Sequence, residues 1–277
     1  MTMRRGPVDF DNWPYPRRCA HRGAGKLAPE NTLAAFRVGA QHGYRMFEFD
    51  VKVSADGVPY LLHDATMPRT TSARGKAAGL DWAALSRIDA GAWHSPAWAG
   101  EPIPTLAAIE RYLQANRFMA DIEIKPVPGT ERQTGAAIAA HCARSWLGST
   151  ARKANATVAL LTSFSADALA AAHKEEPRLP RGLLLDKLPV DWLDRVRAHD
   201  CVALATNHEA LSADIVAKAH ANRLRVVAYT VNDLRRVNLL DRWGVDCIVT
   251  DAVDKIAFTV DGRAPVSGDG SPGGSPR

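Results

Sequence analysis

A chain of 277 residues is long enough for one large domain or two small ones. Hydrophobic residues make up 46% of it and charged residues 23%, a composition that excludes a disordered protein. The net charge is +5 without any run of basic residues, so we expect no nucleic-acid partner. No apolar stretch approaches the ~20 residues of a membrane span, so we expect no stable membrane insertion.

The cysteines and residues 1–18 indicate the cellular compartment in which the protein is expected. The four cysteines form no Cys-x-x-Cys pair and show no zinc-type spacing, and three of them lie in apolar runs, where a free thiol behaves as a small hydrophobic group. Residues 1–18 carry four arginines but no continuous apolar region, so they do not resemble a secretory signal. We therefore expect a cytoplasmic protein.

Short apolar runs alternate with helical patterns along the chain. Most of the runs are continuously hydrophobic, which is typical of parallel strands buried on both faces. We predict strands near Arg18–His21, Met46–Val51, Met119–Ile124, Thr157–Ser163, Gly182–Asp186, Cys201–Thr206, Arg225–Thr230 and Val245–Thr250. We predict helices over Asn31–His42, Leu106–Asn116, Arg132–Ser145, Ala166–Lys174, Asp191–His199, Ser212–Asn222 and Leu234–Trp243. Eight such strand–helix units indicate an α/β fold that closes into a (β/α)₈ TIM barrel.

One connection is much longer than an ordinary loop. From about residue 52 to residue 104 the chain contains a strand-like segment, Pro59–His63, a turn at Asp56–Gly57 and three tryptophans. We interpret this segment as an insertion after strand 2 that covers one end of the barrel. The predicted organisation is an N-terminal extension over residues 1–16, the barrel domain over 17–260 and a disordered tail, rich in Gly, Ser and Pro, over 261–277.

Local signals mark several helix ends. Asn31 is a suitable N-cap for the first helix, and Ser165 and Ser212 are suitable N-caps for later ones. Gly43 and Gly244 each follow a helical pattern and are expected to end it.

Acidic residues on neighbouring strands carry the clearest chemical signal. Glu48 and Asp50 are two residues apart on a strand, so both carboxylates point to one face, and Glu123 repeats the arrangement on the next strand. Carboxylates grouped in an apolar barrel repel each other unless a cation or protons neutralise them. Three carboxylates without a thiolate suit Mg²⁺ or Ca²⁺ better than zinc. Structural ion pairs with neighbouring Lys or Arg residues are the alternative.

Two of the nine histidines differ from the rest. His21 ends the first strand, where the strand-end rule for barrels places it beside the carboxylates, and Arg22 offers a planar fork for phosphate oxygens. His63 ends the strand-like part of the insertion, and Asp64 is placed to orient its ring. The other seven histidines fit core or surface positions. The run Gly23-Ala-Gly-Lys26 lacks nucleotide-binding spacing, so a tight turn is expected there.

Taken together, these motifs resemble the glycerophosphodiester phosphodiesterase family. Five motifs occur in the family's order, namely His21-Arg-Gly23, Pro29-Glu-Asn-Thr32, Glu48-Phe-Asp50, His63-Asp64 and Glu123-Ile-Lys125. The resemblance continues into Tyr229-Thr-Val-Asn232 and residues 244–251, and it spans roughly Trp13 to Ile256. The nearest likeness is to the cytoplasmic bacterial member linked to glycerol-3-phosphate uptake.

The resemblance implies a TIM barrel with an insertion after strand 2 and a set of functional residues. It implies catalysis by His21 and His63, ligation of one divalent cation, Mg²⁺ or Ca²⁺, by Glu48, Asp50 and Glu123, and substrate binding by Arg22, Lys125 and Tyr229. Many relatives carry Trp at the position of Tyr229, and either aromatic ring can flank the substrate. Glu30 either pairs with Arg22 or supports the entry into the first helix.

The implied reaction is hydrolysis of a small glycerophosphodiester to sn-glycerol 3-phosphate and an alcohol. One histidine removes a proton from a glycerol hydroxyl that attacks phosphorus, the other protonates the departing alcohol, and water then opens a cyclic phosphate. The sequence leaves open which histidine is the base, although we prefer His63 as base and His21 as acid. The head group, the metal and the oligomeric state, including a homodimer, also stay open.

Three other functions compete with this one. A glycoside hydrolase also uses paired carboxylates on a barrel, but it leaves the two histidines, Arg22 and Lys125 without a role. A lysophospholipase D uses a similar barrel on long-chain substrates, and the tryptophans of the insertion keep this function open. A catalytically inactive binding barrel usually lacks one or more ligands, whereas every polar motif position is present here.

Overall fold

The computed structural model describes residues 8–148 and 159–257. The described residues contain nine strands: β1 (Arg18–His21), β2 (Met46–Val53), β3 (Pro59–Leu61), β4 (Met119–Ile124), β5 (Leu160–Ser163), β6 (Arg181–Leu185), β7 (Ala203–Asn207), β8 (Arg225–Tyr229) and β9 (Cys247–Thr250). All except β3 pair in parallel, and β1 pairs with both β2 and β9, which closes the barrel. The predicted TIM barrel is therefore confirmed. Part of one predicted strand, residues 157 and 158, lies outside the described residues.

The described helices are α1 (Leu33–Gln41), α2 (Trp82–Leu85), α3 (Leu106–Ala115), α4 (Glu131–Trp146), α5 (Ala166–Glu175), α6 (Trp192–Ala198), α7 (Ala213–Ala221) and α8 (Leu234–Trp243). The seven helices predicted from sequence are confirmed, with no end displaced by more than two residues. None of the described helices is both long enough and apolar enough to cross a lipid bilayer.

Most of the predicted caps are confirmed, and one is wrong. The side chains of Ser165 and Ser212 accept hydrogen bonds from backbone N–H groups in the first turns of α5 and α7. Gly244 ends α8 in the left-handed conformation, with φ at 86°. The N-cap of α1 is Thr32 rather than Asn31, because the side chain of Asn31 is engaged in the interior of the barrel.

Aromatic packing holds α1 against the outer face of the barrel. Phe36 lies with its ring centroid 5.3 Å from those of both Phe47 and Phe49, which project from β2 on the side opposite its carboxylates. All three side chains are fully buried. Burial of one such side chain stabilises the fold by about 1.5–3 kcal/mol, so this contact fixes which face of β2 is turned inward.

The insertion between β2 and α3 has a small core of its own. Strand β3 pairs antiparallel with the end of β2, and Tyr60, Met67, Leu85 and Ile103 are buried together with their neighbours in the insertion. Because β3 extends from the carboxyl end of β2, the insertion stands over the same end of the barrel as the strand-end side chains. The predicted insertion after strand 2 is confirmed.

Residues that precede β1 also contact the barrel. Val8 and Tyr15 are buried in the main core, and the carbonyl of Phe10 accepts hydrogen bonds from Arg225 at the start of β8. The domain limits near residues 16 and 260 stay predictions, and the predicted disordered tail lies outside the described residues. All four cysteines are buried and free.

Candidate active site

Three acidic side chains meet on the neighbouring strands β2 and β4. Asp50 and Glu123 are direct partners across these two strands, and Glu48 is the partner of His21 across β1 and β2. One oxygen atom from each of Glu48, Asp50 and Glu123 lies within 4.8 Å of the others. The alternation of side chains along two parallel strands therefore brings together the three residues that the sequence singled out.

Burial and mutual repulsion disturb the ionisation of this acidic cluster. Burial, together with the charges of Asp50 and Glu123, raises the pKa of Glu48 well above its usual range. Burial and the charge of Asp50 raise the pKa of Glu123 to about 7, although Lys125 opposes this. Burial also acts on Asp50, but Lys125 and Arg22 outweigh it and hold the pKa of that carboxyl low. The cluster is therefore fully ionised near neutral pH only with additional positive charge.

Asn31 holds Asp50 in place with two hydrogen bonds. Its Nδ2 donates to Asp50 Oδ2 at 2.8 Å, and the backbone N–H of Asp50 donates to Asn31 Oδ1 at 3.1 Å. Asn31 adopts a left-handed backbone conformation with φ at 60°, which asparagine tolerates better than most residues. This residue was expected to cap α1, and it instead orients a carboxylate of the site.

His21 is held between two carboxylates. Its Nδ1 lies 2.5 Å from Asp251 Oδ1, and its Nε2 lies 3.6 Å from Glu48 Oε2. Asp251 follows β9 and accepts a second hydrogen bond from Asn232 Nδ2 at 2.9 Å. The predicted tight turn begins here, because the N–H of Gly25 donates to the carbonyl of His21 and a Cβ at Gly25 would collide with the backbone of Asp251.

His63 is held through a chain of charged groups in the insertion. Its Nδ1 lies 2.6 Å from Asp64 Oδ1, as the sequence predicts. Arg69 donates to both oxygens of Asp64, at 2.6 and 3.0 Å, and to both oxygens of Glu30, at 2.8 Å each. Glu30 in turn accepts from Arg22 at 2.9 Å, so its pairing with that residue is observed. Arg69 thus joins the insertion to the β1–α1 loop, a contact that no sequence motif indicates.

A cavity of about 230 Å³ opens beside these groups. Its polar wall contains His21, Arg22, Glu48, His63, Asp121, Glu123, Lys125 and Thr162. Its lining also includes the rings of Phe164 and Tyr229, whose centroids are 6.0 Å apart in an edge-on arrangement. Burial raises the pKa of Tyr229, so its hydroxyl stays neutral. Seven of the eight residues singled out from sequence line this cavity, and the eighth, Asp50, is buried.

Asp121 is a further acidic residue of the site that was not predicted from the sequence. This residue is 3% exposed, faces the barrel interior beside Glu48 and accepts a hydrogen bond of 2.7 Å from Thr162 Oγ1. Burial raises the pKa of Asp121 to about 7, outweighing the hydrogen bond. The signal was present, because Asp121 and Glu123 are two residues apart on β4 and so point to the same face.

Comparisons with known proteins agree with this geometry. The profile of the glycerophosphoryl diester phosphodiesterase family matches residues 21–255. The chain belongs to this family. It is 30% identical over 242 residues to YhdW of Bacillus subtilis, a match that covers 86% of this chain and 95% of the relative. It is 28% identical over 236 residues to a glycerophosphodiester phosphodiesterase of Caldanaerobacter subterraneus, covering 84% of this chain and 92% of the relative.

A solved structure of a phosphodiesterase is also similar to this chain. The phosphodiesterase of Oleispira antarctica, determined in complex with the product sn-glycerol-3-phosphate, superposes with a TM-score of 0.80 at 31% identity. The match covers 87% of this chain and 94% of that one. Membership of the glycerophosphodiester phosphodiesterases confirms the predicted enzyme class, a phosphodiester hydrolase.

The acidic cluster of this family member fits a hard divalent cation. Its three candidate ligands are all carboxylates, the donors that Mg²⁺ and Ca²⁺ prefer. Asp50 Oδ1 accepts no well-aligned hydrogen bond within the described residues, although Lys125 Nζ lies 3.1 Å away. Lys125 also lies 2.8 Å from Glu123, and Arg22 Nε lies 3.4 Å from Asp50, so two cationic side chains face three carboxylates. A dication would supply the charge that full ionisation requires.

Proposed function

We propose that this protein hydrolyses small glycerophosphodiesters to sn-glycerol 3-phosphate and an alcohol, with a divalent cation and two histidines. The observation that carries the proposal is the meeting of Glu48, Asp50 and Glu123 within 4.8 Å at a cavity that His21 and His63 also line. The product bound to the related Oleispira antarctica phosphodiesterase supports the same product here.

Glu48, Asp50 and Glu123 are the proposed ligands of the cation, which we expect to be Mg²⁺ or Ca²⁺. A bound dication supplies Lewis-acid polarisation of a phosphoryl oxygen, an effect worth several kcal/mol in the transition state. Asn31 contributes by holding Asp50 in one orientation, since its two hydrogen bonds to that residue leave Oδ1 free of a well-aligned donor.

Arg22 and Lys125 are the proposed phosphate contacts. Both line the cavity, and each already lies near the acidic cluster, Arg22 Nε at 3.4 Å and Lys125 Nζ at 3.1 Å from Asp50. Two fixed positive charges offset the charge that grows on the phosphoryl oxygens during the reaction. The apolar wall formed by Phe164 and Tyr229 suits the carbon backbone of the glycerol moiety.

His63 is the proposed general base in the first step. Burial, followed by the charges of Arg22 and Lys125, lowers the pKa of His63, so its ring is neutral at pH 7 and able to accept a proton. It takes the proton from the glycerol hydroxyl next to the phosphorylated carbon. That oxygen then forms a bond to phosphorus while the bond from phosphorus to the head-group alcohol breaks.

His21 is the proposed general acid in the same step. Carboxylates on both sides of the ring, Asp251 at 2.5 Å and Glu48 at 3.6 Å, offset the charge of a protonated imidazole. Its proton goes to the departing alcohol oxygen. The resulting cyclic phosphate opens in a second step, in which His21 removes a proton from water and His63 returns one to the glycerol oxygen. Each histidine contributes about 10²–10⁴-fold to the rate.

The remaining predictions concern location and partners. A cytoplasmic location, the lack of a nucleic-acid partner and a homodimer stay predictions from the sequence.

The experiment that tests this function is a coupled assay of glycerol 3-phosphate release. Purified protein is treated with EDTA and then given Mg²⁺, Ca²⁺ or Mn²⁺ with several glycerophosphodiesters. We expect no release after EDTA and recovery with at least one metal. Full activity after exhaustive chelation, or the absence of release under every condition, would overturn the proposal.

A further inference from the structure

A second cavity, of about 320 Å³, adjoins the first at His21 and Arg22. These two residues line both cavities. The remaining wall comes from the β1–α1 loop, the residue after β9 and the insertion, and it consists of Gly25, Lys26, Glu30, Trp93, His94 and Asp251. A phosphodiester bound at His21 and Arg22 therefore has room for one substituent in each cavity.

The carboxylates of the second cavity are already satisfied. Both oxygens of Glu30 accept hydrogen bonds from Arg69, and one also accepts from Arg22. Asp251 has one oxygen on His21 and the other on Asn232. Glu30 therefore has two guanidinium partners and Asp251 has His21, so a cationic head group such as choline would compete with pairs that are already formed.

Lys26 makes the second cavity unfavourable for a cation. This residue is exposed, and its ammonium group forms no ion pair with any residue that the structure describes. It lines the cavity together with the Arg22 guanidinium. Two positive groups, one of them without a counter-ion, repel a trimethylammonium group and offer donors to hydroxyl oxygens.

His94 offers the complementary acceptor. Its Nε2 lies 3.0 Å from the backbone carbonyl of Lys26, and because a carbonyl only accepts, Nε2 carries the proton. In the neutral form of the ring Nδ1 is then an acceptor, and it is buried without a partner among the described residues. An unsatisfied buried acceptor at a cavity wall is suited to a hydroxyl group of a ligand.

Trp93 adds a flat apolar surface. Its indole N–H donates to the carbonyl of Ala90 at 2.9 Å, so its polar atom is already used, yet the side chain is one of the exposed large hydrophobic groups of the protein. The exposed ring suits the C–H face of a polyol. It would also attract a cation, but the adjacent Lys26 and Arg22 oppose that.

We propose that the second cavity is the subsite for the departing alcohol and that it selects an uncharged polyol head group, such as glycerol or inositol, over choline. This inference rests on the proposed function. It places glycerol 3-phosphate in the first cavity and the head group in the second, with His21 at the boundary where the leaving oxygen takes its proton.

The test compares head groups in the wild type and in His94→Phe. The value of kcat/KM is measured for glycerophosphoglycerol, glycerophosphoinositol and glycerophosphocholine in the presence of the metal ion that supports activity. We expect the wild type to prefer the two polyol substrates. Loss of one hydrogen bond to a hydroxyl lowers kcat/KM for these by about tenfold in His94→Phe, with less than about twofold change for glycerophosphocholine.

Lys26→Gln is a second variant, which keeps the test valid if His94→Phe melts at a lower temperature. It removes the repulsion of a cation, so we expect kcat/KM for glycerophosphocholine to rise by about three- to tenfold. Lys76→Gln, an exposed lysine of the insertion that is not part of either cavity wall, is the matched control and leaves all three values unchanged.

The outcomes separate this inference from the proposed function. A wild type that prefers glycerophosphocholine, or variants that change all head groups equally, would overturn the polyol subsite while leaving the hydrolase intact. A wild type that hydrolyses none of the three substrates with any metal would overturn the proposed function and the subsite with it.

Discussion

Asp251 Oδ1 lies 2.5 Å from His21 Nδ1, although 230 positions separate the two residues in sequence. The contact follows from closure of the barrel, because β1 and β9 are parallel neighbours and Ala20 is paired with Thr250. The residues that follow these partners therefore meet at the same rim. Asp251 fixes the ring of His21 so that Nε2 is the nitrogen directed towards Glu48, 3.6 Å away.

Asp251→Asn tests this positioning. The amide keeps the size of the side chain but no longer stabilises a protonated His21, so we expect kcat/KM to fall by about 10–100-fold. The loss should be smaller for a substrate with an activated leaving group, which needs less help from an acid. Asp254→Asn, an exposed carboxylate three residues further on, is the control. Equal activity of the two variants would show that Asp251 has no such role.

Some of the residues of the site could be predicted from the sequence, and others could not. Glu48, Asp50 and Glu123 were predictable because alternation along a strand is a local rule and parallel partners share a rim. The role of Asn31 was not predictable, since an asparagine before a helix fits an N-cap equally well. Only the fold brings its amide to Asp50, 19 positions away.

The link through Arg69 escaped prediction for a different reason. Arg69 reaches Glu30 across 39 positions, from an insertion whose course over the barrel follows from its own small core. A long side chain in an irregular segment follows no periodic pattern. The strands and helices of the barrel could therefore be predicted closely, whereas the groups that position His63 could not.

The acidic cluster predicts that a dication stabilises the folded protein. A ligand at 100 times its dissociation constant adds about 2.7 kcal/mol, which raises Tm by about 5–10 °C in a chain of this size. In Glu123→Gln we expect most of this rise to be lost, because one ligand charge is gone. Thermal melting with EDTA and then with Mg²⁺ or Ca²⁺ measures the rise in Tm for the wild type and for Glu123→Gln. A wild-type Tm that does not respond to either metal would contradict the predicted site.

The pH dependence of activity follows from His63. Burial, together with the charges of Arg22 and Lys125, lowers the pKa of His63 from its usual value of 6.5, outweighing the effect of Asp50. A base must be neutral, so activity is lost as pH falls through this lowered pKa. A cation bound at the acidic cluster would lower the pKa of His63 further. We expect the acid limb of kcat/KM to have its midpoint below pH 6.5, and a midpoint above that value would contradict His63 as the base.

Arg69 is expected to tune that acid limb through Asp64. Hydrogen bonds from Arg69 hold the pKa of Asp64 down to about 2, and the same guanidinium offsets its charge next to His63. In Arg69→Met the carboxylate faces His63 without this compensation, which stabilises the imidazolium form. The acid limb should therefore move to higher pH, and kcat should fall by about tenfold because the ring is less well oriented.

A purely structural role for Arg69 would give a different result. It would lower Tm and the fraction of active protein without moving the pH profile. Arg178→Met removes an exposed ion pair with Glu176, and because neither residue lines a cavity, this variant serves as the control for losing a surface arginine. An unchanged acid limb in Arg69→Met would refute the proposed influence on His63.

The last prediction concerns stability at the opposite end of the barrel, where Asp241 of α8 anchors β1. Its carboxylate accepts from Arg17 at 2.9 Å and from the buried Arg18 at 2.5 and 3.1 Å. Burial alone would raise the pKa of Asp241, but the hydrogen bonds from Arg18 and Arg17 outweigh it and the pKa is lowered. Asp241→Asn leaves Arg18 buried without its counter-ion, so we expect unfolding to become easier by about 1–3 kcal/mol at pH 7.

The lowered pKa of Asp241 determines how the stability difference between wild type and Asp241→Asn depends on pH. A carboxyl whose folded pKa lies below its unfolded value of about 3.8 stabilises the fold above that value and loses the contribution as pH falls through the folded pKa. The difference in unfolding free energy between wild type and Asp241→Asn should therefore be constant from pH 8 to about pH 5 and shrink below about pH 4. Asp167→Asn, which breaks an exposed pair with Arg132, should cost less than about 1 kcal/mol at any pH. Urea denaturation at several pH values measures both variants, and a difference that grows on acidification would show that the paired carboxylate is not what anchors β1.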